Sequence, residues 1–170
     1  MWVPIYWNAA LAGVNIFQIA VLLLERQEVF LNEKEKWLHS HVFSNFTPGE
    51  FRRLLKAAES RSPQNGKTLI IEGDEDGDLL LIIRGTCSVD LSEDFKAPLN
   101  IGDFVGEMGL LTGKAASATV IAQEDVEYLA WKRSTLQRLL NRTPSLQAAM
   151  RHTLSYHLTE KITRMSQHVS

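Results

Sequence analysis

Between Thr68 and Trp131 glycine cuts the chain into short pieces. Thr68–Glu72, Leu79–Ile83, Cys87–Leu91 and Ala118–Gln123 are brief apolar or alternating runs, and Gly73, Gly77, Gly85 and Gly102 separate or flank them. Tyr128-Leu129-Ala130-Trp131 closes the series. Short runs of period two, divided by residues that turn the chain freely, read as strands of an antiparallel barrel or roll. This pattern constrains the fold more than any other feature of the chain.

The flanks carry a different period. Asn32, with Glu35 three residues on, marks a helix start, and Thr47-Pro48-Gly49-Glu50 marks a cleaner one: Thr as N-cap, Pro in the first turn, Glu closing a capping box. Phe51, Leu54, Leu55 and Ala58 then form a helical stripe. Ser62-Pro63-Gln64-Asn65-Gly66 is a turn cluster. After Trp131, Ser134 caps a further helix, and helical pattern runs to about Met165 with a break near Pro144. The expected fold is α+β: helical lead-in over 27–62, a jelly roll or barrel of about eight short strands over 63–133, and C-terminal helices over 134–168.

From Met1 to Leu24 there is no charged side chain, and then Glu25, Arg26, Glu28, Glu33, Lys34, Glu35 and Lys36 arrive together. An apolar run of ~20 residues is long enough to cross a bilayer as a helix. The expectation is a transmembrane helix over 2–26, with Trp2, Tyr6 and Trp7 at one interface. Arg26, Lys34 and Lys36 lie just after the run, and no Lys or Arg precedes it, so the positive-inside rule puts everything after Leu24 in the cytoplasm. Asn8, Asn15 and Gln18 share a helical face, with Ala9 and Gly13 as a small-residue pair near it. That face suits another helix, and a homodimer is expected.

A formal charge of −2 offers no basic face, so nucleic acid is not an expected partner. The lone Cys87 rules out an intrachain disulfide and reads as a buried small residue. His39 with His41, and His152 with His157, lack the company of a metal set, and no metal is expected. No nucleophile is paired with a base, so no catalytic residue is assigned and the chain is not expected to be an enzyme.

Gly106-Glu107-Met108-Gly109-Leu110-Leu111 follows the strand Ile101–Val105 and opens a short helix. The first N–H groups of a helix lack internal partners and carry partial positive charge, and glycine permits close approach to such a backbone. The combination suits a phosphate, and Glu107, an acceptor-only carboxylate, suits a ribose hydroxyl.

Val105-Gly106-Glu107-Met108-Gly109-Leu110 and Ser117-Ala118-Thr119-Val120-Ile121-Ala122 resemble, in order and distance, the phosphate-binding cassette of the cyclic-nucleotide-binding domain family, which reads roughly F-G-E-x-A-L-x-x-x-x-x-R-[AST]-A-[ST]-V-x-A. The resemblance covers about Val42 to Met165. The segments NIFQIAVLLLERQEVFLNEKEKWLHSHVF and YLAWKRSTLQRLL are further similar to Popeye-domain proteins and their bacterial relatives, which are membrane proteins with a cytosolic cyclic-AMP-binding domain that dimerises. Animal members of that group carry Asp-Ser-Pro-Glu at the cassette and three membrane spans, whereas this chain has the Gly-Glu pattern and one apolar run.

The resemblance implies a binding set of Gly106, Glu107, Met108, Ala116, Ser117, Ala118 and Thr119, with cyclic AMP or cyclic GMP as ligand and no other cofactor. The family's phosphate-pairing arginine aligns on Ala116. A hydrogen bond to a charged group contributes ~1.5–3 kcal/mol, so its loss weakens binding roughly ten- to a hundredfold. Lys114 and Arg84 are the candidate replacement cations. The implied function is a membrane-anchored cyclic-nucleotide sensor, with cyclic AMP first in expectation, that signals through its C-terminal helices, a dimer or a protein effector. The alternative is a structural or interaction membrane protein whose degenerate barrel binds no nucleotide.

Overall fold

The computed structural model describes residues 33–92 and 95–167. The apolar segment expected to span the membrane lies outside them. Among the described residues no helix is long and apolar enough to cross a membrane.

Two helices lead in, α1 (Glu33–His41) and α2 (Pro48–Lys56). α2 starts where the sequence indicates: Thr47 Oγ1 accepts from Glu50 N at 3.3 Å, and Thr47 N donates to Glu50 Oε2 at 3.0 Å, which closes the capping box. Phe51 and Leu54 on its inner face are fully buried.

Eight strands follow: β1 (Glu59–Arg61), β2 (Thr68–Ile70), β3 (Leu79–Arg84), β4 (Cys87–Ser92), β5 (Phe95–Leu99), β6 (Phe104–Val105), β7 (Thr119–Ala122) and β8 (Glu127–Trp131). They form two four-stranded antiparallel sheets in the orders β1-β8-β3-β6 and β2-β7-β4-β5. The result is a jelly-roll-like pair of sheets with flanking helices; a closed barrel, the other form expected, is not what forms. Two strands depart from the sequence reading. β1 falls inside the stretch 27–62 assigned to the helical lead-in, because the polar Glu-Ser-Arg has no apolar alternation and is a strand only by pairing with β8. β5 contains Pro98, yet it sits at a sheet edge, where the missing N–H interrupts no central ladder.

The inner faces bury Ile70, Leu80, Ile82, Val89, Leu99, Val105, Val120, Tyr128 and Ala130 against one another. Leu79 and Leu81 point the other way. On the helical side Trp131, Phe43, Phe51 and Phe104 form a second buried layer, with Phe43–Phe104 centroids 5.9 Å apart and Phe43–Trp131 6.5 Å apart. Strand β3 is therefore apolar on both faces, which explains its unbroken Leu-Leu-Leu-Ile-Ile run. Trp131 Nε1 donates to Leu54 O at 2.8 Å and ties β8 to α2.

Between β6 and β7 lies the short helix α3 (Glu107–Thr112). After β8 come α4 (Arg133–Arg142) and α5 (Pro144–Gln167), parted at Thr143 as the proline indicates. Lys132, whose side chain makes no capping hydrogen bond, stands at the N-cap of α4 where Ser134 was expected. The first half of α5 is firmly seated: Leu146, Met150 and Leu154 are buried, Asn45 Nδ2 donates to Ala149 O at 3.0 Å, and Thr153 Oγ1 donates to Asn45 Oδ1 at 2.8 Å.

Candidate functional site

At the end of β6 the backbone turns at Gly106, whose φ of 83° lies in the left-handed region. A Cβ there would also stand 2.5 Å from the carbonyl oxygen of Asp78. The glycine is needed by the fold itself, since its open side faces the entry to β3. The direction a Cβ would take is filled by the protein's own backbone, and the residue also lines the cavity at Glu107.

Glu107 is next, at 3 % exposure, and its carboxylate looks into a cavity of about 210 Å³. Ile70, Val89, Val105 and Val120 supply an apolar floor from the inner sheet faces. Gly106, Glu107, Met108 and Gly109 form one wall, and Ala116, Ser117 and Ala118 form the opposite one. Leu158, Lys161 and Ile162 close it from α5. Six of the seven residues expected to grip a ligand thus share one cavity. Thr119 does not line it; its hydroxyl accepts from Glu72 N at 3.1 Å at the start of β7.

The candidate cations fall elsewhere. Lys114 is exposed and outside the lining. Arg84 pairs with Glu127 at 3.2 Å and borders a separate hollow with Glu124 and Asp125. Ala116, where the family pattern carries its arginine, packs against the core, and its amide donates to Asp74 O at 2.8 Å.

Among the described residues the cation that lines the cavity is Lys161. Its Nζ forms an ion pair with Glu107 Oε1 and donates to Phe104 O at 2.8 Å. The two side chains are 12 % and 4 % exposed, so both charges have left water. Such a pair gives little net stability, but removing one partner costs ~3–5 kcal/mol because the other charge is stranded. One turn later Arg164 Nη2 meets Asp103 Oδ1 at 2.5 Å, while the other oxygen of Asp103 accepts from Asn100 N at 2.8 Å. Arg133 fixes the far end of α3: Nη2 donates to Gly109 O at 2.7 Å, and Nη1 reaches the carbonyls of Lys114 and Glu75. The sequence offered a signal for Lys161: it is three residues after Leu158 on the apolar stripe of α5, an unusual place for a lysine. No signal marked Arg133, because its partners are backbone carbonyls.

The two-sheet fold that encloses this cavity has counterparts among known proteins. The model of the cyclic nucleotide-binding domain matches residues 60–143. Residues 60–143 belong to the cyclic nucleotide-binding domain family. A cyclic nucleotide-binding domain from Methylobacillus flagellatus superposes with a TM-score of 0.67 at 23 % identity, covering 82 % of this chain and 85 % of that one. The human Popeye domain-containing protein 1 is 23 % identical over 166 residues, which are 92 % of this chain and 46 % of that protein. The cAMP-dependent protein kinase regulatory subunit of Hypocrea atroviridis is 31 % identical over 99 residues, 58 % of this chain and 21 % of that protein. The chain therefore spans less than half the length of these two relatives. Within this cyclic nucleotide-binding domain, Glu107 and Ser117 fall inside the matched residues, and Lys161 comes from beyond them.

Proposed function

We propose that the domain is a sensor whose ligand is a cyclic nucleotide, cyclic AMP before cyclic GMP, bound in the cavity between the sheets. The observation that carries this reading is Glu107: it sets an acceptor-only carboxylate, paired in this structure with Lys161, on the wall of a largely apolar cavity, where a ribose hydroxyl can donate to it. The apolar floor suits the flat faces of a nucleoside, and Ser117 stands on the wall where a cyclic phosphate would lie. The similarity to a cAMP-dependent kinase regulatory subunit and to a Popeye protein favours cyclic AMP. In the same reading the apolar segment 2–26 anchors the protein in a membrane with the sensor on the cytoplasmic side, and α5 or a dimer passes the signal to an effector.

Calorimetry of the full chain with cyclic AMP and cyclic GMP tests the ligand. Glu107→Ala should weaken binding by about 1.5–3 kcal/mol, and Ala116→Arg, which returns a guanidinium to the phosphate wall, should tighten it roughly tenfold. No heat with either nucleotide would leave a scaffold that binds partners instead. Resistance to alkaline carbonate extraction tests the anchor, and release into the soluble fraction would overturn it. Light scattering in detergent tests the dimer.

A further inference from the structure

We propose that Lys161 is a built-in competitor for the nucleotide cavity, a lock that holds the second half of α5 in place until a ligand displaces it. The identity of the displacing ligand rests on the cyclic-nucleotide reading; the lock itself rests on contacts within the chain. Leu158, Lys161 and Ile162, at spacings of three and four, put one helical face into the cavity. A surface lysine ordinarily extends its ammonium to water. Here the side chain is only 12 % exposed and turns inward to Glu107 and to Phe104 O at 2.8 Å. The carboxylate assigned to the ribose is thus already engaged by a cation from the same chain.

Space points the same way. With α5 in place the cavity is about 210 Å³, below the ~300 Å³ at which small-molecule pockets begin. With Lys161 turned inward on Glu107, the cavity leaves little room for a cyclic nucleotide, and on this proposal the ligand enters by displacing it. The two halves of α5 are held by different means. The first half, through Leu154, is seated by buried apolar side chains and by Asn45. The second half is fastened by Lys161 and Arg164 to Asp103, Phe104 and Glu107, all at the entry to the cassette. Filling the cavity and freeing the second half of α5 are then one event. The apparent affinity is lowered by the fraction of molecules whose lock is open.

The test uses the full chain and two readouts, amide hydrogen exchange and calorimetric titration with cyclic AMP. Lys161→Met keeps the length of the side chain and removes the ammonium. It should speed exchange across 158–167 about tenfold or more while 146–154 stays protected, and it should tighten cyclic AMP binding roughly tenfold. Lys161→Arg should restore slow exchange. If Lys161→Met is too unstable because Glu107 is stranded, Glu107→Gln combined with Lys161→Met removes both charges together and should still loosen 158–167. Unchanged exchange in every variant that lacks the ammonium would overturn the lock. Weaker cyclic AMP binding in Lys161→Met would also overturn it, by making the lysine a ligand contact. If 158–167 loosens but no nucleotide binds to either protein, the lock stands on the exchange data, and it is the nucleotide reading that falls.

Discussion

Cys87 sits at 1 % exposure where the inner face of β4 begins, and burial, with a smaller contribution from the charge of Glu124, pushes its thiol up to about 11. The reactive form of a cysteine is the thiolate. At pH 8 the native thiol should therefore be inert to a disulfide reagent and react fully once the chain is unfolded in guanidinium; labelling of the native protein at the unfolded rate would contradict the packing of β4. Gly106 gives a sharper case. An alanine there must adopt a φ of 83° and place its Cβ 2.5 Å from Asp78 O. Gly106→Ala should lower unfolding free energy by roughly 2–4 kcal/mol, read by urea titration, since left-handed backbone alone costs ~1–3 kcal/mol and the clash adds to it. At this scale the sequence marked the residue for a ligand's approach, and the structure adds a second demand that was not legible: the entry to β3 leaves no space for a side chain there. Glu107 was legible because a lone carboxylate after such a glycine has few structural uses. Lys161 carried a signal only in its place on the apolar stripe of α5; its pairing with Glu107 was not legible, because the partner is distant in sequence and only the fold of α5 brings the two together.

Helix α2 shows how far a local signal reaches. Thr47, Pro48 and Glu50 mark its start in the sequence, and the capping box forms with both hydrogen bonds. Thr47→Ala should cost about 0.5–2 kcal/mol, seen as a lower urea midpoint with an unchanged slope. Glu50 has a second task. The Ser145 hydroxyl at the start of α5, more than Thr47 or Arg53, holds its carboxyl below the usual range. A carboxylate whose folded pKa is depressed contributes stability above its unfolded pKa, and that stability is lost as pH falls through the folded value. The stability gap between the native protein and Glu50→Gln should therefore be present at pH 7 and close progressively as the medium is acidified below the ordinary glutamate range. A gap constant down to the acid limit would mean that Ser145 and Thr47 do not favour the charged form. The same reasoning explains which strands could be read. β3, β4, β7 and β8 bury alternate or continuous apolar residues and so announce themselves. β1 and β5 are polar or carry a proline and exist through the ladders of their neighbours, a long-range cause that no local window contains.

For the molecule as a whole, the two sheets, their glycine turns and the flanking helices were legible because the change of period from helical to alternating is a local property of the chain. The cavity is a product of closure. Its floor comes from four strands, one wall from α3, the other from the segment before β7, and its cover from α5. Residues this scattered meet only once both sheets are paired. That closure predicts how a ligand should act on stability. A molecule that binds only the folded roll raises unfolding free energy by RT ln(1 + [L]/Kd), about 2.7 kcal/mol at a hundredfold excess over Kd. Part of this is spent on displacing Lys161 from Glu107, but that cost is already contained in the apparent Kd. For a chain of this size ~1 kcal/mol moves the midpoint by about 2–4 °C. Cyclic AMP at a hundredfold excess should thus raise the melting temperature by roughly 5–10 °C. Adenosine 5′-monophosphate has the same base and ribose but an open, doubly charged phosphate, and should give a much smaller shift at equal concentration, because no guanidinium stands at Ala116 to balance the added charge. Equal shifts from the two nucleotides would mean that the cavity reads the nucleoside alone and that the wall at Ser117 makes no use of a cyclic phosphate.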